Sequence, residues 1–273
     1  MKTLGLIAGK GRFPFLVAQE AKREGYRVVC CGIEKESDPG LEKLVDAYRE
    51  IKLGQLKTLR DFFKKEGVSE AIMAGKIEKV RLFQGDVRPD VEMVKVLLKV
   101  RDLRDDSLLG GISNYLSGHG IELQDSTRFL KNALPGVGIL GKKNPSREVQ
   151  EDIDFGWKIA KALARLDIGQ TVVVKQKAVL ALEAIEGTDE TIKRGGLLGK
   201  GGVTVIKVAK PHQDMRFDVP GVGLTTVERL IEAQAKALAF EAGKTLFMDL
   251  DDLVRKADQA GILLVGINDN AKE

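Results

Sequence analysis

Short apolar runs alternate with amphipathic ones through the first half of the chain. TLGLIAG, FPFLVAQEAKREG and YRVVCCGI come first, and QLKTLRDFFKKEG and SEAIMAGKI follow a loop rich in Ser, Asp, Pro and Gly. Continuous apolar runs bounded by turn residues predict buried strands, and apolar positions recurring every three or four residues predict helices. The order strand, helix, strand, helix, strand therefore predicts a parallel sheet built from βαβ units. Both helices run into a glycine, Gly25 and Gly67, where a C-terminal cap is expected. PDVEMVKVLLKV and SLLGGISNYLSGHG add two helices, and IELQDS reads as a further short strand.

The second half has a different texture. TVVVKQKAVLALEAIEG is β-rich and GGVTVIKVAKP is another strand. TTVERLIEAQAKALAFEAG is expected as one helix, with Val227, Leu230, Ile231, Ala235 and Leu238 at the helical period, Thr225 and Glu228 as a capping box, and Gly243 as its end. KTLFMDL, DDLVRKADQAG and ILLVGIN close the chain as strand, helix, strand. Between the halves, LPGVGILGKKNPS has the composition of a linker, and Ser146 caps the long helix REVQEDIDFGWKIAKALARL. The expected organisation is thus an α/β protein. Residues 1–134 form an N-terminal Rossmann-like domain, 135–146 a linker, and 147–273 a C-terminal mixed α/β domain.

Composition narrows the class. The 273 residues are 43% hydrophobic, 31% charged and only 5% aromatic, so the cores are aliphatic. No apolar run reaches the roughly 18 residues of a membrane span, and Gly-Lys-Gly interrupts the N-terminal apolar patch where a signal peptide needs its core. A cytosolic protein is expected. The net charge of +4, from 44 basic and 40 acidic residues, is too balanced for a nucleic-acid binder. The two cysteines, Cys30 and Cys31, are adjacent in a strand run, so they face opposite ways and read as buried free thiols.

Two stretches carry candidate chemistry. AGKGRFP, residues 8–14, leaves the first strand and opens the first helix, so Gly9 and Gly11 let the backbone approach a phosphate. Pro14 stands where the dinucleotide fingerprint has its third glycine, and Lys10 is not followed by Ser or Thr, so neither Rossmann fingerprint nor P-loop is complete. Glu34 closes the second strand about where a ribose-binding acid lies.

The second stretch is HQDMRFDVPGVG, residues 212–223. Read as an extension of the preceding strand, it puts Asp214, Arg216 and Asp218 on one face and Met215, Phe217 and Val219 on the other. Two carboxylates at that spacing suit a hydrated Mg²⁺ ion, which takes one or two protein carboxylates plus water and phosphate oxygens. Arg216 offers a planar fork for phosphate, and Lys207 and Lys210 add positive charge upstream. A solvated strand edge with surface ion pairs is the plainer reading of the same alternation. EGTDE, residues 186–190, sets Glu186 and Asp189 around a glycine, and spacing alone makes Asp189 a cap of the following turn. Of the two histidines, His119 reads as a helix C-terminal cap and His212 stands close to Asp214 in sequence.

AGKGRFP, AGKI at 74–77, EAIEGTDETI and above all KPHQDMRFDVPGVG resemble the UDP-2,3-diacylglucosamine pyrophosphatase family of lipid A biosynthesis, the form unrelated to the calcineurin-like metallophosphoesterases. The resemblance covers essentially the whole chain. It implies a Mg²⁺-dependent hydrolase that splits UDP-2,3-diacylglucosamine into UMP and 2,3-diacylglucosamine 1-phosphate, with water attacking the sugar-side phosphorus. The family's catalytic acid falls on Asp214 or Asp218, with a lean to Asp214. Asp214, Arg216 and Asp218 become the catalytic candidates, Asp214 and Asp218 the metal ligands, and Gly9, Gly11, Thr188, Asp189, Lys210 and Gln213 the substrate contacts. The partner implied is a lipid-linked UDP-sugar, met at the cytoplasmic face of the inner membrane by peripheral contact, with self-association compatible. Two other classes stand beside this one. A nucleotide-binding oxidoreductase would rest on the glycine turn and Glu34, and a non-catalytic nucleotide-sugar or lipid binder would hold the ligand without turnover.

Overall fold

The structure, a computed structural model, describes residues 2–77, 88–99, 105–211 and 213–269, with the side chains of 105–107 excluded. It divides into two compact units, Met1–Lys131 with Asp214–Asp218, and Asn132–Gln213 with Val219–Glu273.

The first unit is a doubly wound parallel sheet. β1 (Thr3–Ala8), α1 (Phe13–Arg23), β2 (Arg27–Ile33), β3 (Ala47–Ile51), α2 (Leu56–Lys65), β4 (Glu70–Ala74), α3 (Val91–Lys99), α4 (Asp105–Ser117) and β5 (Glu122–Leu123) follow in order. The strand order is β3-β2-β1-β4-β5, with every pairing parallel. The strands read as near-continuous apolar runs because both faces of such a sheet are covered. β3 is the exception: AYREI carries exposed Arg49 and Glu50 and forms the charged edge, which is why it reads as loop in the sequence. The chain winds outward through β2 and β3, then crosses back to β4, so the order reverses between β1 and β4.

The second unit is a three-layer α/β/α domain. β6 (Gly138–Leu140), α5 (Arg147–Arg165), β7 (Thr171–Lys175), β8 (Ala178–Leu182), α6 (Thr188–Gly199), β9 (Thr204–Lys207), β10 (Gly221–Val222), α7 (Leu224–Glu232), β11 (Ala237–Glu241), β12 (Leu246–Phe247), α8 (Leu250–Gln259) and β13 (Leu263–Ile267) make it up. The main sheet runs β6-β13-β11-β9-β7-β8, with β9, β11 and β13 parallel and the outer strands antiparallel. Alternation sorts the layers: Val172 and Val174 pack with Trp157 and Ile153 of α5, while Val173 packs with Ile192 of α6 and Leu230 of α7. β7 and β8 are joined by Gln176 and Lys177, both left-handed at φ 52° and 58°, the conformation of a type I′ hairpin. The buried carboxylate of Asp152 accepts from both of their N–H groups, at 3.1 and 2.7 Å.

Three expectations change. Residues 138–140, read within a linker, form β6, which pairs antiparallel with β13. The single long helix is two elements: α7 stops at Glu232, Gln234 turns left-handed at φ 46°, and Ala237–Glu241 becomes a fully buried strand between β9 and β13. α7 is not opened by a capping box. It starts after Gly223 with no side-chain cap, Glu228 pairs with Lys256 instead, and Gly243 follows a strand. Ser146 caps α5 as read, accepting from the Val149 N–H at 3.3 Å. Cys30 and Cys31 are buried thiols, and burial pushes the Cys31 pKa up to about 12.

Candidate active site

The stretch expected as a strand is a tight turn. β9 ends at Lys207, and the carbonyl of Asp214 accepts from the N–H groups of Phe217 and Asp218, at 3.0 and 3.1 Å. The Asp214 carboxylate accepts from the Arg216 backbone N–H at 3.0 Å, the local side-chain-to-backbone bond by which Asp competes with a sheet ladder. The expected common face of Asp214, Arg216 and Asp218 is therefore lost. Arg216 folds back on Asp214, with Nε 3.0 Å from Oδ1 and Nη2 2.7 Å from Oδ2, a bidentate charge-assisted pair. This hydrogen-bonded guanidinium holds the Asp214 carboxyl below the usual carboxylate range, against a smaller opposing effect of burial. Arg216 also stacks over the Phe217 ring, 4.7 Å from its centroid, and donates to Ser113 of α4 at 3.2 Å.

The turn belongs to the first unit. Phe217 packs on the core of that unit. Ser126, just beyond β5 and 1% exposed, donates its N–H to the Met215 carbonyl at 2.9 Å. The Ser126 hydroxyl lies 2.6 Å from the carbonyl of Met73 and 2.8 Å from that of Arg216. Met73 is the penultimate residue of β4, so the turn docks at the carboxyl end of β4. In open parallel sheets ligands bind outside those ends, where the strand order reverses. Here that place lies between β1 and β4, whose Ala8 and Ala74 are in register.

Two glycine turns meet there. Gly9 N–H bonds the Ala74 carbonyl at 2.8 Å, and Lys10 and Lys76 exchange backbone bonds of 2.8 and 3.0 Å. A Cβ on Gly9 would sit 2.5 Å from the Lys76 carbonyl oxygen, so Gly9 is required for contact between the turns. Gly11 differs: it is left-handed at φ 101° and has open space where a Cβ would be. Glu34 follows β2 at the same end of the sheet, and Pro14 lies buried in the first turn of α1, where the fingerprint glycine would be. His119 places Nδ1 2.7 Å from the Tyr115 carbonyl, the helix-capping contact expected of it. His212 lies outside the described residues.

The remaining candidates belong to the second unit. Thr188 opens α6 inside a buried polar network: its hydroxyl is 2.6 Å from Lys207 Nζ, 3.1 Å from Glu183 Oε1 and 3.2 Å from Thr171 Oγ1. Asp189 accepts from Thr226 of α7 at 2.9 Å, joining two helix N-termini instead of capping its own turn. Glu186 pairs with Arg194. Lys210 pairs with Asp167 at 2.6 Å, and Gln213 accepts from the Lys210 N–H at 2.8 Å. Ser113, Ser126 and Glu183 join the candidates from the structure alone, and Lys76 enters the sequence reading only within AGKI at 74–77, with no role of its own. For Lys76 a signal existed: Ala-Gly-Lys ends two strands of the same domain, at 8–10 and at 74–76.

The turn does not form a ready-made magnesium cage. Both Asp214 oxygens accept from Arg216, and among the described residues no three His, Cys, Asp or Glu side chains cluster as metal ligands. The donors are hard carboxylate oxygens, the type Mg²⁺ takes, and it needs only one or two when substrate phosphate supplies others.

Comparison with known proteins is decisive at the level of the family. The LpxI N-terminal domain matches residues 3–133 and the LpxI C-terminal domain residues 136–265. The chain belongs to the LpxI family. Among LpxI proteins it is 29% identical over 280 residues to the UDP-2,3-diacylglucosamine pyrophosphatase LpxI of Caulobacter vibrioides, a match covering 98% of each chain. Among solved structures it is similar to N5-carboxyaminoimidazole ribonucleotide synthetase from Thermotoga maritima, at 16% identity and a TM-score of 0.26, over 67% of this chain and 41% of that one. It is also similar to the biotin carboxylase domain of a thermophilic 2-oxoglutarate carboxylase, at 15% identity and a TM-score of 0.27, over 63% of this chain and 35% of that one. The matches cover less than half the length of either of those chains.

Proposed function

We propose that this LpxI chain hydrolyses the pyrophosphate bond of UDP-2,3-diacylglucosamine to UMP and 2,3-diacylglucosamine 1-phosphate. The observation that carries the reading is the match of both LpxI domains across 3–133 and 136–265. The site gives it a chemistry. Phosphoryl transfer asks a protein for positioning and charge neutralisation. Arg216 supplies a planar fork whose present partner, Asp214, is itself an anion, so a phosphate can take over the same donors. Asp214, freed from Arg216 and ionised at neutral pH, orients a water for in-line attack on the sugar-side phosphorus. The water oxygen forms the new P–O bond, the bridging oxygen leaves with UMP, and the proton of the water passes to solvent. Asp218, on the same turn, is the second carboxylate of the pair.

Mg²⁺ belongs to this proposal as a cofactor that neutralises diphosphate charge when bound. Asp214 and Asp218 are the residues of the turn that would hold it. The acyl chains of the substrate place the enzyme in peripheral contact with the cytoplasmic face of the inner membrane; among the described residues no helix is long and apolar enough to cross it.

The experiment is UMP release from UDP-2,3-diacylglucosamine with Mg²⁺ and with EDTA, for the wild type, Asp214→Ala and Asp218→Ala. Turnover only with metal is expected, with a loss of at least about 100-fold in one variant that still binds substrate. Hydrolysis in ¹⁸O-water should put the label in the sugar phosphate. No UMP under any divalent metal would sink the reading.

A further inference from the structure

We propose that Glu241 is a positioning residue: its buried carboxylate extends the β9–β11 ladder past the strand ends and fixes the segment after β9, which carries Lys210 and Gln213. That these two meet substrate rests on the function proposed above; the anchoring of the segment does not.

β9 and β11 run parallel, with Phe240 opposite Lys207, the last residue of β9. β11 then ends at Glu241, and Gly243 turns left-handed at φ 71°. The Ala209 N–H, one step past this ladder, goes to a side chain: it donates to Glu241 Oε2 at 2.9 Å, with both partners buried. On the β7 side the Val208 N–H bonds the Gln170 carbonyl at 2.9 Å, and Lys210 pairs with Asp167 at 2.6 Å. Gln213 in turn accepts from the Lys210 N–H at 2.8 Å. The segment is therefore held from both flanking strands at the point where it reaches Lys210.

Glu241 is itself held. Lys161 of α5 lies 3.1 Å from each of its oxygens, and Lys244 lies 2.7 Å from Oε1. Asp269 meets Lys161 at 3.2 Å and accepts from Trp157 Nε1 at 2.9 Å. Desolvation of buried charges offsets most of their attraction, so such a network is weak evidence for stability. A neutral acceptor would satisfy one N–H without that desolvation. What a carboxylate gripped by two ammonium groups adds is direction: both oxygens are committed, and Oε2 is aimed at the residue before Lys210. Glu241 and Ala209 also lie at the carboxyl ends of parallel strands, the ends at which α/β sheets take ligands.

The test uses the full chain, with Glu241→Ala, Glu241→Gln, Lys210→Gln and the double variant Glu241→Ala with Lys210→Gln. Hydrogen exchange reads the anchor without ligand or turnover. The Ala209 amide should exchange at least about tenfold faster in Glu241→Ala, while that of Val208, bonded to backbone, changes less. Well below the melting temperature, kcat/KM for UMP release should fall at least about tenfold in Glu241→Ala, but no more than about twofold in the Lys210→Gln background, because both changes act through one segment. UDP affinity, measured by calorimetry, should follow the same cycle. Glu241→Gln keeps an oxygen for the Ala209 N–H and should show the pattern at smaller size; it serves where the alanine variant fails to fold. Unchanged Ala209 exchange, or equal losses in both backgrounds, overturns the assignment. So does a lowered melting temperature with kcat/KM and UDP affinity unchanged. A wild type that releases no UMP, yet loses UDP affinity in this pattern, sinks the proposed function and leaves the positioning role standing.

Discussion

Ser126 holds Arg216 through its backbone: the hydroxyl of this serine, itself only 1% exposed, lies 2.8 Å from the Arg216 carbonyl and 2.6 Å from that of Met73. A hydroxyl has one proton to donate, so the two carbonyls share it, and the Ser126 N–H to Met215 fixes the third point. Ser126→Ala leaves two part-buried carbonyls short of a donor, at a cost of about 0.5–1.5 kcal/mol. In a chain this long that corresponds to a melting temperature lower by about 2–4 °C per kcal/mol. Because the turn keeps its own Asp214–Arg216 pair, substrate binding should survive better than orientation. We expect kcat for UMP release to fall several-fold with KM little changed. A variant with wild-type kcat and a lowered melting temperature would show that Ser126 only stabilises.

The Asp214–Arg216 pair sets a pH window. The native pKa of Asp214 lies below its unfolded value because of the hydrogen-bonded guanidinium. The contribution to stability is therefore present above the unfolded pKa of about 3.9 and is lost as pH falls through the native value. With side chains 33% and 41% exposed, solvent screens the pair, and its worth is under about 1 kcal/mol. The melting temperatures of wild type and Asp214→Asn should differ at pH 7, draw together only as pH falls below about 4, and meet once the pH is below the native pKa of Asp214. Activity should show no limb between pH 8 and 5 that disappears in Asp214→Asn. Such a limb would place the Asp214 pKa above the normal range, opposite to the direction read here. Arg216→Lys should lose activity despite keeping the charge, since a single ammonium cannot reproduce the two-pronged grip.

Much of the architecture was legible because strand and helix signals agreed with their neighbours. The βαβ rhythm, the Ser146 cap and the β7–β8 region all read through. What failed did so for local reasons. ALAFE is apolar and short, and periodicity alone cannot separate a buried strand from the end of a helix. Its identity comes from pairing with β9 and β13, which are remote in sequence. The alternation in DMRFD imitates a half-exposed strand, but an Asp two residues before an Arg can satisfy that residue's backbone and its guanidinium at once. The same change of geometry moved the turn into the first unit, a placement that no window of sequence contains.

Thr188, expected as a substrate contact, is tied into the structure by its hydroxyl. Its hydroxyl meets Lys207 and Glu183, which are only 2% and 7% exposed, so it is one of the partners that two buried ionisable side chains share. Removing one member of such a network leaves a buried charge under-satisfied. Thr188→Val keeps the shape and deletes the hydroxyl, and should destabilise by about 1–3 kcal/mol. Thr188→Ser, which restores it, should recover more than half of that. A substrate contact would behave differently: KM for the UDP-lipid would rise in the valine variant while thermal unfolding stayed put. Measuring both on the same preparations separates the two roles. If Thr188→Val melts like the wild type, the network does not carry the stability assigned to it, and the hydroxyl is kept for the ligand.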